Sequence, residues 1–486
     1  MHRNQPARVG RLWILLAAFL LLYLGLLARF QWSRSPPQQS SEQFILPSLP
    51  SSDVFQSLNL NEKECKITFP DLTKDLDATV ALGPFTLKQA HGKGPFQARI
   101  KNGQLYIIHS EPSDTLSPEL LQARQAALHQ IHRALITSPE RLPDTIFSLN
   151  IRDQPYGAAW SYARPAYASA PASAMPPITR TFLMPHFSFW SWPLPFVGSI
   201  ARAAAAIERV EAERPFADKD PRVVWRGSAR FNGVHHPTLR PDLLHATAGA
   251  DWADVQALES YEMVEVGDAA TGTNHGRKNE KNDERSGRAE RGGEETQTPP
   301  PGNATAAAAA ALMIEDFCRY KYVLYTDGVT YSGRLPFLQM CGSVLLTPPI
   351  AWRQHTTHLL RPLFSHDLAL TDAGGSAHEW APSSPGVRAA WPTSYGPADA
   401  NAVFVAPDWS DLRATVAWLE RNPALAAGIA RRQRDLFVGR GYLSPAMETC
   451  YWRALLRGWS EVVRIEGEGW EDWPGVSWEE FSVGYT

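Results

Sequence analysis

The chain has 486 residues, of which 44% are hydrophobic and 20% charged, with a formal net charge of -3. That size and apolar content supply a large core, two folding units of ordinary size with appendages. A charge so nearly balanced excludes a nucleic-acid groove, which needs clustered Lys and Arg to displace counterions.

The first element in chain order is an unbroken apolar run from Leu12 to Ala28, bounded by Arg11 and Arg29. As a helix it covers roughly 25 Å, a short membrane span suited to a thin early-secretory bilayer. The alternative is a cleaved signal peptide. Against it, the apolar core is longer than a usual signal core, and Leu26 occupies the -3 place before Ala28, where a cleavage site needs a small residue. Arg3, Arg8 and Arg11 precede the run while Arg29 and Arg34 follow it, so the positive-inside count narrowly favours a cytosolic N-terminus. The expected layout is a cytosolic tail at 1–11, a type II signal anchor at 12–28 and a flexible stem at 29–60, rich in Ser, Pro and Gln. The rest then faces the lumen of the ER or Golgi.

The globular part begins near Cys65. Asn102-Gly103 between apolar arms predicts a β-hairpin. Ser117 to Thr137 predicts an amphipathic helix with Ser as its cap and Pro at its first position. Thr145 to Ile151 predicts a buried strand that runs into Arg152-Asp153-Gln154-Pro155, and residues 157–177 predict a loop. After Pro185-His186-Phe187-Ser188-Phe189-Trp190-Ser191-Trp192, Ile200 to Glu213 predicts a helix. Arg222 to Trp225 predicts a strand that ends in Arg226-Gly227-Ser228.

Residues 268–311 differ in kind. Between His275 and Glu295 they carry six basic and six acidic residues, and they end in an alanine run, so they read as an insertion that cannot bury enough apolar surface to order itself. The insertion holds a glycosylation sequon, Asn303-Ala304-Thr305. From Ile314 the pattern is helix, strand (Tyr322 to Tyr325), a glycine-bearing turn, a helix from about Ser332 and a strand (Ser343 to Leu346). Such alternation predicts α/β architecture with a parallel sheet. A strand at Val403 to Val405, a helix at Ser410 to Asn422 and one long helix from about Ala424 through Phe437 and past Pro445 follow. Residues 466–486 are an acidic, Trp-rich tail.

Four cysteines, Cys65, Cys318, Cys341 and Cys450, lack Cys-x-x-Cys spacing. A zinc site is therefore not indicated. Three disulfide pairings are open in an oxidising lumen, and four reduced thiols in a reducing one.

Three strand ends carry residues suited to chemistry, and open parallel sheets place ligands at such ends. Asp153 follows the first, either as a base or as a turn-capping carboxylate before Pro. Arg226-Gly227-Ser228 follows the second, offering a guanidinium fork, a close backbone approach and a hydroxyl to phosphate oxygens. Asp327 to Arg334 is the third, a strand-turn-helix whose N-terminal N–H groups and Arg334 suit an anion. His355 and His358, on a possible helix, have no Glu in zincin spacing and read as structural. The Asp-x-Asp triplets at Asp75-Leu76-Asp77 and Asp218-Lys219-Asp220 follow no apolar strand and read as surface. No dinucleotide fingerprint, Walker loop or nucleophile elbow is present.

Several stretches, taken in order, resemble the CAP10-like glycosyltransferase family 90, closest to its fungal branch. They are Asn150 to Pro155, Phe187 to Trp190, Trp225 to Ser228, Cys318 to Tyr322, Gly328 to Arg334 and Ala446 to Trp452. The resemblance implies a GT-B-like pair of Rossmann-type domains, here an acceptor-side domain at 61–200 and a donor-binding domain at 201–440, with a helix at 441–465 returning to the first. It implies a metal-independent, inverting transfer of a xylose- or glucose-class sugar from a UDP-sugar to a hydroxyl of a glycan or protein. By motif, Asp153 matches the base, Trp190 an aromatic wall of the sugar pocket, and Arg226, Ser228, Val329, Tyr331, Ser332, Gly333 and Arg334 the donor site. The family pattern also implies the disulfides Cys318–Cys341 and Cys65–Cys450. Thr330 and Tyr331 are bulkier than the small pair common in the glucosyltransferase branch, and Ala229-Arg230-Phe231 replaces the usual hydroxyl-rich continuation. A catalytically inactive lumenal binding protein of the same fold is the rival reading.

Overall fold

The computed structural model describes residues 52–484 except 93, 167–179, 195, 234–235, 259–311, 371–384 and 468. All of them belong to one compact unit that begins at Ser51. The apolar run 12–28, most of the stem, the insertion 268–311 and Asn303 lie outside the described residues. Among the described residues no helix is long and apolar enough to cross a membrane.

The first half of the chain contributes β1 (Phe85–Leu87), β2 (Phe96–Lys101), β3 (Gln104–His109), β4 (Thr145–Leu149), β5 (Ala158–Ser161), β6 (Arg164–Pro165) and β7 (Arg180–Leu183). β2 and β3 form the predicted hairpin, with Asn102 (φ 53°) and Gly103 (φ 76°) both left-handed, as a two-residue turn matched to strand twist requires. The predicted loop at 157–177 is a correction: β5 and β6 lie within it. The Ala- and Pro-rich composition hid Ala159, Trp160 and Ser161, which are buried because β5 sits inside the sheet between β4 and β7. Helix Pro118–Ile136 starts as predicted, Ser117 Oγ accepting the Leu120 N–H.

The second half contributes β8 (Asp220–Gly227), β9 (Ala253–Ala257), β10 (Tyr320–Leu324), β11 (Val344–Thr347), β12 (Trp352–Arg353), β13 (Pro362–Phe364) and β14 (Ala402–Phe404). Six of these make one all-parallel sheet in the order β13-β14-β11-β10-β8-β9. Both faces are covered, so its strands read as continuous apolar runs; Val223 and Val224 of β8 face opposite cores and both are fully buried. After β8 the chain adds β9 on one side and then β10 on the other. The order of strand addition therefore switches sides between β8 and β10, the place where open parallel sheets leave a crevice at their C-terminal strand ends.

The final helix is a second correction. Helix Pro423–Arg434 runs into a wide turn at Asp435–Gly439 and stops at Gly441 (φ 71°); a separate helix, Pro445–Val462, restarts with Ser444 Oγ accepting the Met447 N–H at 3.2 Å. Ser before Pro is itself a start signal, which the long apolar pattern masked. This last helix lies on the first-half elements: Trp459 Nε1 donates to the Ile146 carbonyl at 2.8 Å, and Trp452 Nε1 donates to Gln130 Oε1 at 3.1 Å. β15 (Val463–Ile465) pairs with β1, and β16 (Val476–Ser477) pairs with β3. The acidic tail thus supplies an edge strand to the first six-stranded sheet, ordered β16-β3-β2-β4-β5-β7, and buries Trp478 and Phe481.

Both disulfides are present. Cys65–Cys450 joins residues 385 positions apart, and Cys318–Cys341 closes a short loop beside β10.

Candidate active site

A cavity of about 360 Å³ opens at the C-terminal ends of β8 and β10, where the order of strand addition switches sides. It is walled on one side by the segment after β4 and on another by the segment that follows β7. The structure brings together here Asp153, Arg226, Ser228, Val329, Tyr331, Ser332, Gly333 and Arg334, residues spread over more than a hundred positions of sequence.

Asp153 stands on a loop shaped by Asn150, which is fully buried. Its Oδ1 accepts the Arg152 N–H at 3.0 Å and its Nδ2 donates to the Gln154 carbonyl at 2.8 Å. Thr330 Oγ1, from the loop after β10, donates to the Asp153 carbonyl at 3.1 Å. The Asp153 side chain is exposed to the cavity it lines, and desolvation by the surrounding walls holds its carboxyl above the ordinary range. No other carboxylate lines the cavity among the described residues.

Three arginines line the same cavity. Arg226, at the end of β8, is almost fully buried; its Nη2 pairs with Asp254 Oδ1 at 2.8 Å and its Nη1 donates to the Asp254 carbonyl at 2.7 Å. Arg334 Nη1 donates to the Arg226 carbonyl. Arg240, from helix Leu239–Ala246, donates from Nη1 to the Ser228 carbonyl at 2.9 Å and from Nε to the Asp327 carbonyl at 3.2 Å. Burial, aided by the charge of Arg334, pushes the Arg240 guanidinium down to about 10, so it stays charged at neutral pH. Three buried or half-buried guanidinium groups lining one cavity suit a phosphate-bearing ligand.

The loop between β10 and the next helix is held from behind. Ser332 N–H donates to Tyr325 Oη at 3.0 Å, Tyr325 Oη donates to Asp327 Oδ1 at 2.9 Å, and Ala351 N–H donates to Asp327 Oδ2 at 2.9 Å. The helix itself is a correction: it runs only Leu335–Gln339, with Arg334 as its N-cap, so the predicted start at Ser332 is three residues early. Ser332 and Gly333 belong to the turn, where their backbone is fixed by Tyr325. Gly227 and Gly333 are needed for close approach. A Cβ on Gly227 would lie 2.7 Å from the Trp225 ring, and one on Gly333 would lie 2.7 Å from His186 Nε2 and 2.8 Å from Trp192.

Trp190 lies apart from the cavity. Its ring stacks on His129 at 4.5 Å with the Arg133 guanidinium 5.1 Å from its centre, and it keeps 39% of its surface exposed. Trp192, two residues on, lines the cavity instead. Phe231 lines it too while staying 56% exposed at the mouth. His186, Trp192 and Arg240 were missed as site residues. Arg240 sits in an ordinary amphipathic helix and no local pattern marks it; Trp192 and His186 fall within a stretch whose aromatic content was visible but whose facing was not.

The remaining candidates resolve as structural. Asp75 is buried, correcting its surface reading, and it accepts Arg164 Nη2 at 2.5 Å with Arg353 Nη1 at 3.6 Å. Asp218 is exposed on a short turn. His358 sits within a single 3-10 turn, Thr357–Leu359, and His355 precedes it, so the two do not share a helix. His355 is buried among Phe189 and Tyr451, and His358 Nε2 lies 2.8 Å from the Asp71 carbonyl. Among the described residues no group of three or more His, Cys, Asp or Glu is placed to hold a metal ion.

The family model described as glycosyl transferase family 90 matches residues 60–367. No curated protein matches the chain.

Proposed function

The chain belongs to glycosyl transferase family 90 and is a glycosyltransferase, and from that premise we propose that it moves a xylose- or glucose-class sugar from a UDP-sugar to a hydroxyl of a glycan or protein, with inversion and without a metal. The observation that carries the reading is one cavity lined by a single carboxylate among the described residues, Asp153, and by Arg226, Arg240 and Arg334. An inverting transfer needs both. The acceptor oxygen attacks the anomeric carbon from the face opposite the nucleotide, Asp153 takes the acceptor proton, and the bond from the anomeric carbon to the diphosphate oxygen breaks. Desolvation raises the Asp153 carboxyl toward working pH, which strengthens it as a base. The departing diphosphate gains negative charge, and fixed guanidinium groups stabilise it at no reorganisation cost.

Arginines in place of a carboxylate cluster are the support for metal independence. We propose further that the two sheets are the GT-B-like pair of Rossmann-type domains, with the all-parallel sheet binding the donor. The apolar run 12–28 and the two disulfides support a type II anchor with the catalytic part in the lumen of the ER or Golgi. The test is donor consumption and thermal stabilisation with UDP-xylose, UDP-glucose, UDP-galactose and UDP-N-acetylglucosamine in EDTA. Acceptor-dependent turnover of one donor in EDTA is the expected result. Turnover that appears only on adding Mn or Mg overturns the metal-independent reading, and binding without turnover of any donor moves the assignment to a binding protein.

A further inference from the structure

His186 is nearly fully buried, with 3% of its surface accessible, and its ring is held on several sides. Phe187 packs at 3.9 Å between ring centres, and Trp192, Tyr162 and Tyr331 meet it edge-on at 5.3, 5.4 and 5.7 Å. Its backbone carbonyl accepts Gln130 Nε2 at 3.2 Å. Nδ1 accepts the Ser188 N–H at 3.2 Å and lies 2.7 Å from Ser188 Oγ. A ring nitrogen that accepts a backbone N–H carries no proton of its own, so in the neutral ring the proton is on Nε2. The ring is neutral: burial, with a smaller contribution from His355, lowers it to about 3.

Nε2–H therefore points a fixed donor toward Gly333 and the cavity, and no acceptor for it exists among the described residues. The neighbouring glycine is what lets the ring approach so closely at the cavity wall. Tyr331 borders both groups that matter: it lies against His186 and feels the charge of Asp153. The anomeric carbon has to sit between Asp153 and the arginines, which places the sugar beside His186. A neutral imidazole is a poor phosphate ligand and a good partner for a hydroxyl. The aromatic edges around it suit the C–H face of a pyranose.

We propose that His186 contacts the donor sugar, its Nε2–H donating to a ring hydroxyl, and that it is a specificity-determining residue of the transfer. The proposal rests on the UDP-sugar reading above. The test is calorimetric binding of UDP, UDP-glucose and UDP-xylose to the full chain and to His186→Phe, His186→Met and His186→Gln. Phe and Met fill the site without a donor, and Gln restores an N–H. The expected result is unchanged affinity for UDP in all variants. Affinity for the preferred sugar nucleotide falls roughly three- to tenfold in Phe and Met and returns in Gln. Equal weakening of UDP and UDP-sugar overturns the proposal in favour of a packing role, as does no weakening of either. A wild-type chain that binds neither UDP nor a UDP-sugar overturns the donor reading itself, a result distinct from failure of the His186 contact. Near-ultraviolet circular dichroism identifies any variant that has lost its fold, and the other donor-less variant then decides the matter.

Discussion

Thr330 Oγ1 donates to the carbonyl of Asp153 at 3.1 Å, joining the loop after β4 to the loop after β10 beside the active site. Thr330 is buried, so the bond is shielded from water and fixes where the Asp153 backbone stands relative to the arginines. Thr330→Val keeps the shape and removes the donor. The expected outcome is a kcat reduced roughly three- to tenfold with UDP affinity retained. Single-turnover kinetics with saturating donor measure it, and an unchanged kcat shows that the bond does not position the base.

Asp153→Asn keeps the volume and removes the base. Turnover should fall by roughly a hundredfold or more while UDP binding persists. In the wild type, kcat/KM should rise with pH as Asp153 ionises, with a midpoint above the ordinary carboxylate range because desolvation disfavours the charged form. A limb at the ordinary carboxylate position removes Asp153 from the role.

Asp327 and Glu448 give the fold a pH dependence of definite sign. Burial pushes both up to about 7, against ordinary values of 3.8 and 4.5, even with Tyr325 and the Ala351 N–H donating to Asp327 and Arg133 paired with Glu448. A raised native pKa means that the folded chain holds protons the unfolded chain has released. The contribution is full below the unfolded values and is lost as pH rises through about 7. Asp327→Asn cannot titrate. Its Tm relative to wild type should therefore be more favourable at pH 8 than at pH 5.5, and a constant difference across that window contradicts the assignment.

Gly333→Ala should disturb the site from within. The new Cβ would stand 2.7 Å from His186 Nε2 and 2.8 Å from Trp192, both held by packing on their far sides. A cost of about 1–3 kcal/mol in urea unfolding is expected, with weakened UDP binding. A variant as stable as wild type would show that the turn can shift without penalty.

Cys450→Ser opens the bridge to Cys65, which ties the start of the described chain to the last long helix. Stability should fall by about 2–5 kcal/mol. Reducing agent should destabilise the wild type and leave Cys450→Ser sensitive only through Cys318–Cys341. Non-reducing peptide mapping checks both pairings.

Local chemistry was legible wherever one short stretch decides the outcome. Asn102-Gly103 specifies its own turn, Ser117-Pro118 its own helix start, and the apolar run ending at Trp225 its strand. The motifs at Asp153, Arg226 and Gly328 to Arg334 were visible for the same reason: strand ends followed by charged or small residues. Composition misled where tertiary packing overrides it. Ala158–Ser161 is a strand because neighbours exist on both sides, and Asp75 is buried because Arg164 and Arg353 reach it from distant segments.

By itself, then, the sequence determined the α/β alternation, the turns and caps, and the residue types that could serve as base and anion ligands, since each depends on backbone preference and periodicity over a few residues. Only the tertiary structure decided which of those groups share a cavity. It set Trp192 rather than Trp190 on the wall, added Arg240 from an unremarked helix, paired Arg226 with Asp254, and turned His186 Nε2 toward Gly333. Facing and pairing between elements a hundred residues apart are set by how two sheets and their covering helices pack, and no short stretch of chain encodes that.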